Sequence, residues 1–375
     1  MNFLLKNGMV FDQKQHGFIK KDIALINGKI GEVLPEVHYR EVIDASDCLI
    51  TPGLIDYHTH CFHRFGAGIN ADASSFCMGI TSVVDGGTTG AEQFELFYRS
   101  VINMAEVRIR SLLLMASGGQ SNGRYSENLD PAYFDEEKII ELFARYPQTL
   151  VGLKTRISKD IISPEMARKS LQKTITIAEK VHTRVVVHVT DCSLPLDELA
   201  GYLRPGDVIC HIYQGKGENT CLDQNGKVLK GLWEAKEQGV LFDACNGRSN
   251  FDLTVARQAI TQGFVPDIIS SDNNTSGYFL QPLHSLPRIL SKYLEFGMPL
   301  GDILTCAITT PAALIGQPTL SSLAAGTEAD VAIFKMKEKN VEYEDLAGHH
   351  LLGHHILVPQ MTFKNGICEY RQADF

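Results

Sequence analysis

Between Pro52 and Pro318 the chain alternates short apolar runs with longer helical stretches, and nothing else in the sequence limits its fold as tightly. Parallel strands need a crossover between each pair, and a strand buried on both faces reads as an unbroken apolar run. Eight such runs occur: GLIDYHTH from Gly53, ITSVVDGG from Ile80, VRIRSLLLMAS from Val107, TLVGLKTR from Thr149, RVVVHVT from Arg184, DVICHIY from Asp207, GVLFDACNG from Gly239 and DIISSDN from Asp267. Between most of them lie helical stretches, such as Ser163–Val181, with Ser163 as N-cap and Pro164 in the first turn. Eight βα units in about 265 residues predict an α/β fold of the (β/α)8 TIM-barrel type, whose chemistry sits at the C-terminal ends of the strands.

The flanks have a different texture. FLLKNGMVFD, DIALINGKIGEVL and EVIDASDCLITP near the start, and ADVAIFKMK and LVPQMTFKNGICEY near the end, are short strands punctuated by Asn-Gly, a hairpin signal. They predict one small β-sandwich built from both termini, residues 1–51 and 319–375, around a barrel spanning 52–318.

Composition excludes several functions. A net charge of −9 and the absence of a basic stripe argue against nucleic acid. No window resembles a membrane span, and the N-terminal stretch lacks a small-residue cleavage site. Nine cysteines without a C-x-x-C pair suit a reducing compartment, so a cytoplasmic protein is expected. An anionic substrate would have to be captured by a few local arginines against the overall field. Homo-oligomers are common among such barrels, and that prior alone is the ground for allowing one here.

The strand ends carry the chemistry. The first run closes with His58 and His60, which alternation places on one face with Thr59 opposite, suited to holding one metal ion. Run four ends in Lys154, run five in His188, run six in His211 and run eight in Asp272. Taken singly, each is ordinary: a histidine after a strand caps or packs, Lys154 snorkels, Asp272 caps the next helix. Spacing at roughly 30 residues per βα unit puts all six at one barrel mouth, where chance is a poor explanation.

This constellation, PGLIDYHTH followed by Lys154, His188, His211 and Asp272, resembles the amidohydrolase superfamily of metal-dependent hydrolases. The resemblance covers nearly the whole chain, including the closing TTPAALIGQPTLSSLAAGTEADVAIF. It implies two divalent metals bridged by a CO2-carboxylated Lys154, one held by His58, His60 and Asp272 and the other by His188 and His211. Zinc is the expected metal; manganese, iron or cobalt also suits such ligands. The metals would lower the pKa of a shared water to give a bridging hydroxide and polarise a carbonyl, with Asp272 as general base turned acid.

Within the superfamily, KTRIS and HIYQGKGE resemble the deacetylase branch, often labelled dihydroorotase or adenine deaminase. Dihydroorotases usually carry an arginine two residues after H-x-H, where this chain has Phe62; adenine deaminases generally lack the bridging lysine. Asn246 stands where deacetylase relatives often have histidine, so substrate identity does not carry across. Arg156 and Arg248 are candidate carboxylate clamps, and Tyr213 and Asn246 candidate contacts near the scissile group. The Gly-punctuated loop Cys61–Asp72 adds His63 and Arg64, and Gly118–Ser126 is a barrel loop that can touch substrate. Four histidines in AGHHLLGHHI belong to the terminal sandwich and read as structural or exposed. The expected activity is hydrolysis of a small amide or ester, chiefly deacetylation of an N-acetyl amino acid or acetylated hydroxy acid. The alternatives are ring opening of a cyclic amide and, further off, a non-catalytic metal-binding relative.

Overall fold

The computed structural model describes residues 2–63, 65–120, 125–280 and 285–375. At its centre seven parallel strands follow one another in chain order: β1 (Leu54–Thr59), β2 (Ile80–Asp85), β3 (Arg108–Leu114), β4 (Leu150–Arg156), β5 (Val185–His188), β6 (Val208–Cys210) and β7 (Leu241–Asp243). β1 and β2 are buried at every position, which is why their sequences are unbroken apolar runs rather than alternating ones. Helices pack outside. Helix α1 (Pro164–Lys180) begins as its sequence predicts, with the Ser163 hydroxyl accepting the Met166 N–H at 3.4 Å. Its buried residues, among them Ala167, Ser170, Leu171, Thr174 and Ala178, recur at three- and four-residue spacing and form the stripe that packs inward.

The eighth strand departs from expectation. Residues 267–273 form no ladder but make a single bridge on each side, Ile268 to Asp243 of β7 and Asn273 to Thr59 of β1. The Asn246 N–H donates to the Ser270 carbonyl at 2.9 Å and the Asp272 N–H to the His58 carbonyl at 2.7 Å. Side chains take over where the ladder is missing: the Ser270 hydroxyl donates to Asp243 at 2.7 Å, and Asp56 accepts both the N–H and the hydroxyl of Ser271. The barrel closes through this irregular segment. Its backbone leaves the extended region at Asp272, with φ +52°, and the same left-handed excursion follows β6 at His211 (φ +66°) and β7 at Cys245 (φ +36°). Such conformations are uncommon for non-glycine residues and end a strand wherever they occur.

The termini build two further sheets. One has six strands, in the order Ile367–Arg371, β9 (His350–Lys364), β8 (Val331–Glu344), Leu49–Pro52, Met9–Asp12 and Gly17–Lys20. The other has four, Lys29–Gly31, Ile23–Ile26, Phe3–Lys6 and Glu41–Asp44. Phe3, Leu5, Ile50, Ile333 and Phe363 share the core between them. Asn27-Gly28 and Asn365-Gly366 are two-residue hairpin turns with positive φ at both positions. Asn7-Gly8 is not: Phe3–Lys6 and Met9–Asp12 lie in different sheets, and the dipeptide carries the chain across between them.

The β8–β9 hairpin reaches back to the barrel. Its tip residue Asp345 accepts the Leu253 N–H at 2.8 Å at the start of helix α2 (Leu253–Thr261). Along its length, the Leu357 N–H donates to Ser291 in helix α3 (Leu286–Leu294) at 2.9 Å. His349 sits 3.0 Å from Asp345 and 3.6 Å from Asp252, whereas His350 is more than half exposed beside Glu342. All nine cysteines are free thiols. Among the described residues, no helix is long and apolar enough to cross a membrane.

Candidate active site

β1 delivers His58 from its last turn of pleat, and His60 follows one residue beyond its end. Their rings lie 5.6 Å apart, and both face Asp272 from the closing segment, with Nε2 to Oδ1 distances of 3.7 Å for His58 and 3.3 Å for His60. Opposite them, the His188 and His211 rings are 4.4 Å apart, and His211 lies 5.3 Å from His58. Lys154, from the penultimate turn of β4, is 1% exposed at the floor of the same mouth. The structure therefore brings His58, His60, His188, His211, Lys154 and Asp272 together at the C-terminal end of the barrel.

Charge is distributed unevenly here. Burial, the Lys154 ammonium and neighbouring imidazoles push the pKa of His58 well below the ordinary range, and burial with His211 and Arg156 does the same to His188. Burial takes His211 down to about 4. These imidazoles are neutral and carry free lone pairs, the form in which histidine ligates a metal. Burial pushes the Asp272 carboxyl up, but the His60 hydrogen bond and the imidazoles of His211 and His58 outweigh it and hold the group below the usual carboxylate range. Ligand atoms of His58, His211, Asp272 and Cys245 all lie within 4.8 Å of one another. Neutral imidazoles around one ionised carboxylate fit a divalent cation.

Neighbouring groups fix these side chains. His60 Nδ1 meets Thr88 Oγ1 at 2.8 Å, and that hydroxyl donates to Asp85 at 2.8 Å. Asp85, last in β2, also accepts the N–H groups of Cys61, Gly87 and Thr88. His211 Nδ1 bonds the Cys245 carbonyl at 2.9 Å, leaving Nε2 for the mouth. Asn250 donates to Asp272 Oδ2 at 2.8 Å. Glycine makes the room: a Cβ on Gly86 would stand 2.4 Å from His58 Nε2, and one on Gly247 2.0 Å from Asp272 Oδ2.

The proposed substrate contacts divide. Arg156, two residues past Lys154 on the same strand face, sits at the mouth and pairs with Glu127. Arg248 lies partly exposed on the loop after β7. Tyr213 does not reach the mouth; it is fully buried and its hydroxyl donates to the Phe264 carbonyl at 2.7 Å. The left-handed turn at His211 directs the chain behind the barrel wall, which a reading of strand alternation could not anticipate. Asn246 is also fully buried, its side-chain oxygen accepting from Lys292 at 2.7 Å and Tyr293 at 3.2 Å, so it braces the loop from behind. His63 is exposed, and Phe62 packs in the core against Phe97. Arg64 and residues 121–124 of the Gly118–Ser126 loop lie outside the described residues.

Sequence reasoning missed Cys245, Asn250, Thr88, Asp85 and Glu127. The run Asp85-Gly86-Gly87-Thr88 stands directly after an apolar strand, and that position was the signal that could have exposed Asp85 and Thr88. Cys245 and Asn250 gave none, since their approach depends on how the chain turns after β7.

No family model matches the chain. Among curated proteins, a deacetylase of Agrobacterium fabrum is 29% identical over 330 residues, covering 85% of this chain and 78% of its own. Among solved structures, one described as an adenine deaminase superposes with TM-score 0.90 at 26% identity, covering 99% of both chains. One described as a dihydroorotase gives TM-score 0.88 at 26% identity, covering 99% of this chain and 98% of that one. In sequence and in fold the chain is similar to proteins of the amidohydrolase superfamily. This likeness makes it a metal-dependent hydrolase, and the buried donors described above are its candidate metal ligands.

Proposed function

We propose that this hydrolase removes an acyl group, chiefly acetyl, from a small amide or ester whose leaving part bears a carboxylate. The observation that carries the reading is the meeting of His58, His60 and His211 with Asp272, the imidazoles of His58 and His211 neutral and the carboxylate ionised, at the strand end that also carries Arg156. The likeness to the Agrobacterium fabrum deacetylase over most of both chains supports it. His58, His60 and Asp272 would hold one divalent ion and His188 and His211 a second, with Lys154 between them as a carbamate. Zinc suits this imidazole and carboxylate set. Divalent ions in such a pair lower the pKa of water and polarise a substrate carbonyl.

Lys154 supports its own carboxylation. As an ammonium it faces a cysteine thiol, Cys210 Sγ at 2.9 Å, and opposes protonation of three imidazoles. A carbamate there replaces a buried cation by an anionic oxygen ligand. Asp272, ionised and held at Oδ2 by Asn250, accepts a proton from the attacking water and returns it to the departing amine or alkoxide. Arg156 offers guanidinium N–H groups to the substrate carboxylate.

The test is acetate release from N-acetyl amino acids of both hands and from acetylated hydroxy acids, using zinc-loaded protein prepared with bicarbonate, with Lys154→Ala alongside. Turnover that is lost in the variant supports the reading. Silence across the panel from fully metallated protein removes it and favours cyclic amides, the reading to which the dihydroorotase-like structure points.

A further inference from the structure

Glu127 pairs with Arg156 at the mouth, and the proposed chemistry gives it no role. It lies on the loop that follows β3, with a side chain 8% exposed, and pairs through Oε1 with Arg156 Nη1. Its other oxygen, Oε2, is buried and has no hydrogen-bond partner among the described residues. Burial raises the Glu127 pKa, with Arg156 and then His60 opposing it, and Arg156 in turn lowers those of His188 and His211. The ion pair thus stands at the C-terminal end of β4, with Arg156 two residues beyond Lys154. A buried carboxylate oxygen with no donor is costly unless a donor arrives with the ligand.

We propose that Glu127 and Arg156 together read an N-acyl α-amino acid, the guanidinium taking its carboxylate and Glu127 Oε2 accepting its amide N–H. The inference rests on the deacylase reading and narrows it from amide-or-ester to amide. In an N-acyl amino acid the N–H and the carboxylate flank one carbon, so a fixed carboxylate–guanidinium pair can meet both at once. An O-acyl hydroxy acid offers an ester oxygen where the N–H would be. Its lone pairs would face a carboxylate and leave Oε2 unsatisfied, a mismatch that sites built for a donor reject strongly, by roughly 10⁴-fold in the best cases. The same pairing explains how Arg156 holds its place: Glu127 uses one Nη and leaves the remaining guanidinium N–H groups for the substrate.

The experiment compares kcat/KM of the metal-loaded enzyme on matched pairs, each an N-acetyl amino acid and the O-acetyl hydroxy acid with the same side chain and hand. Wild type and Glu127→Gln are run together, with metal content and melting temperature measured for both. Glutamine keeps the shape but can turn an NH2 donor toward an ester oxygen. The expected result is a fall of at least tenfold in amide-over-ester selectivity in Glu127→Gln, carried mainly by KM for the amide, at equal metal content. Glu127→Asp, which keeps the charge but withdraws it, should give an intermediate selectivity and guards against misfolding of the first variant. Equal losses on amide and ester, or a wild type that cleaves only esters, would overturn the inference and leave the deacylase reading standing. A wild type silent on every acyl substrate would overturn both.

Discussion

His60 Nδ1 lies 2.8 Å from Thr88 Oγ1, so the ring is fixed by β2 while its Nε2 points at Asp272. The hydroxyl itself is oriented by Asp85, and a carboxylate–hydroxyl–imidazole relay of this kind sets both the tautomer and the aim of a ligand. Thr88→Val keeps the volume and removes the bond. Metal affinity should fall by about 10- to 100-fold with little change in melting temperature of the metal-free protein. Titration with a chromogenic zinc competitor measures it, and an unchanged affinity would detach Thr88 from the centre.

Asp272→Asn removes the ionised carboxylate but keeps an oxygen for Asn250 to meet. The variant should fold and retain much of its metal, and turnover should drop by about 10³-fold or more, the range for loss of a positioned acid–base group. Activity near wild type would exclude Asp272 as the proton carrier.

Lys154→Ala should lose most bound metal, as should wild type treated with a chelator. The two differ in recovery: zinc with bicarbonate restores the chelated wild type and not the variant. Intact-mass spectra of native protein should carry the added CO2 on wild type alone. A fully metallated, active Lys154→Ala would refute the bridging role.

Gly86→Ala puts a methyl 2.4 Å from His58 Nε2. The ring must swing off its position, because real Cβ contacts are not that short. Metal content should fall at least tenfold while the metal-free protein still melts cooperatively, and elemental analysis beside calorimetry separates the two effects.

Lys292 provides a pH test away from the metals. Burial takes its pKa from 10.5 down to about 7, with Arg288 assisting and Asp345 opposing, and its ammonium site lies over the Phe251 ring at 3.5 Å. Because the unfolded chain binds this proton more tightly, stability should rise as pH climbs from about 7 toward 10.5 and be lost as pH falls through 7. Lys292→Met has no such proton. The melting temperature of wild type relative to Lys292→Met should therefore climb by several degrees between pH 7 and pH 9.5, an effect on the order of a few kcal/mol at most. A constant difference would mean that Lys292 titrates normally.

The sequence alone determined the barrel, the sandwich shared by both termini and the strand end at which five of the six polar residues stand; the sixth, Asp272, sits on a segment that forms no ladder. Periodicity records burial, and a strand covered on both faces must be apolar along its length, so β1 to β7 were legible. Strand-end position was legible for the same reason: the first polar residue after an apolar run marks where the barrel opens. What only the tertiary structure decided is where those residues aim. His211, Cys245 and Asp272 each adopt a left-handed backbone, which alternation cannot encode, and this sent Tyr213 behind the wall while bringing Cys245 beside the histidines. Asn246 turned outward to Lys292, and Glu127 arrived from a loop with no periodicity of its own. A strand's side chains follow from its pattern because one repeat dictates them all; a loop residue's position is set by contacts with segments far away in the chain, and those contacts exist only once the barrel has closed.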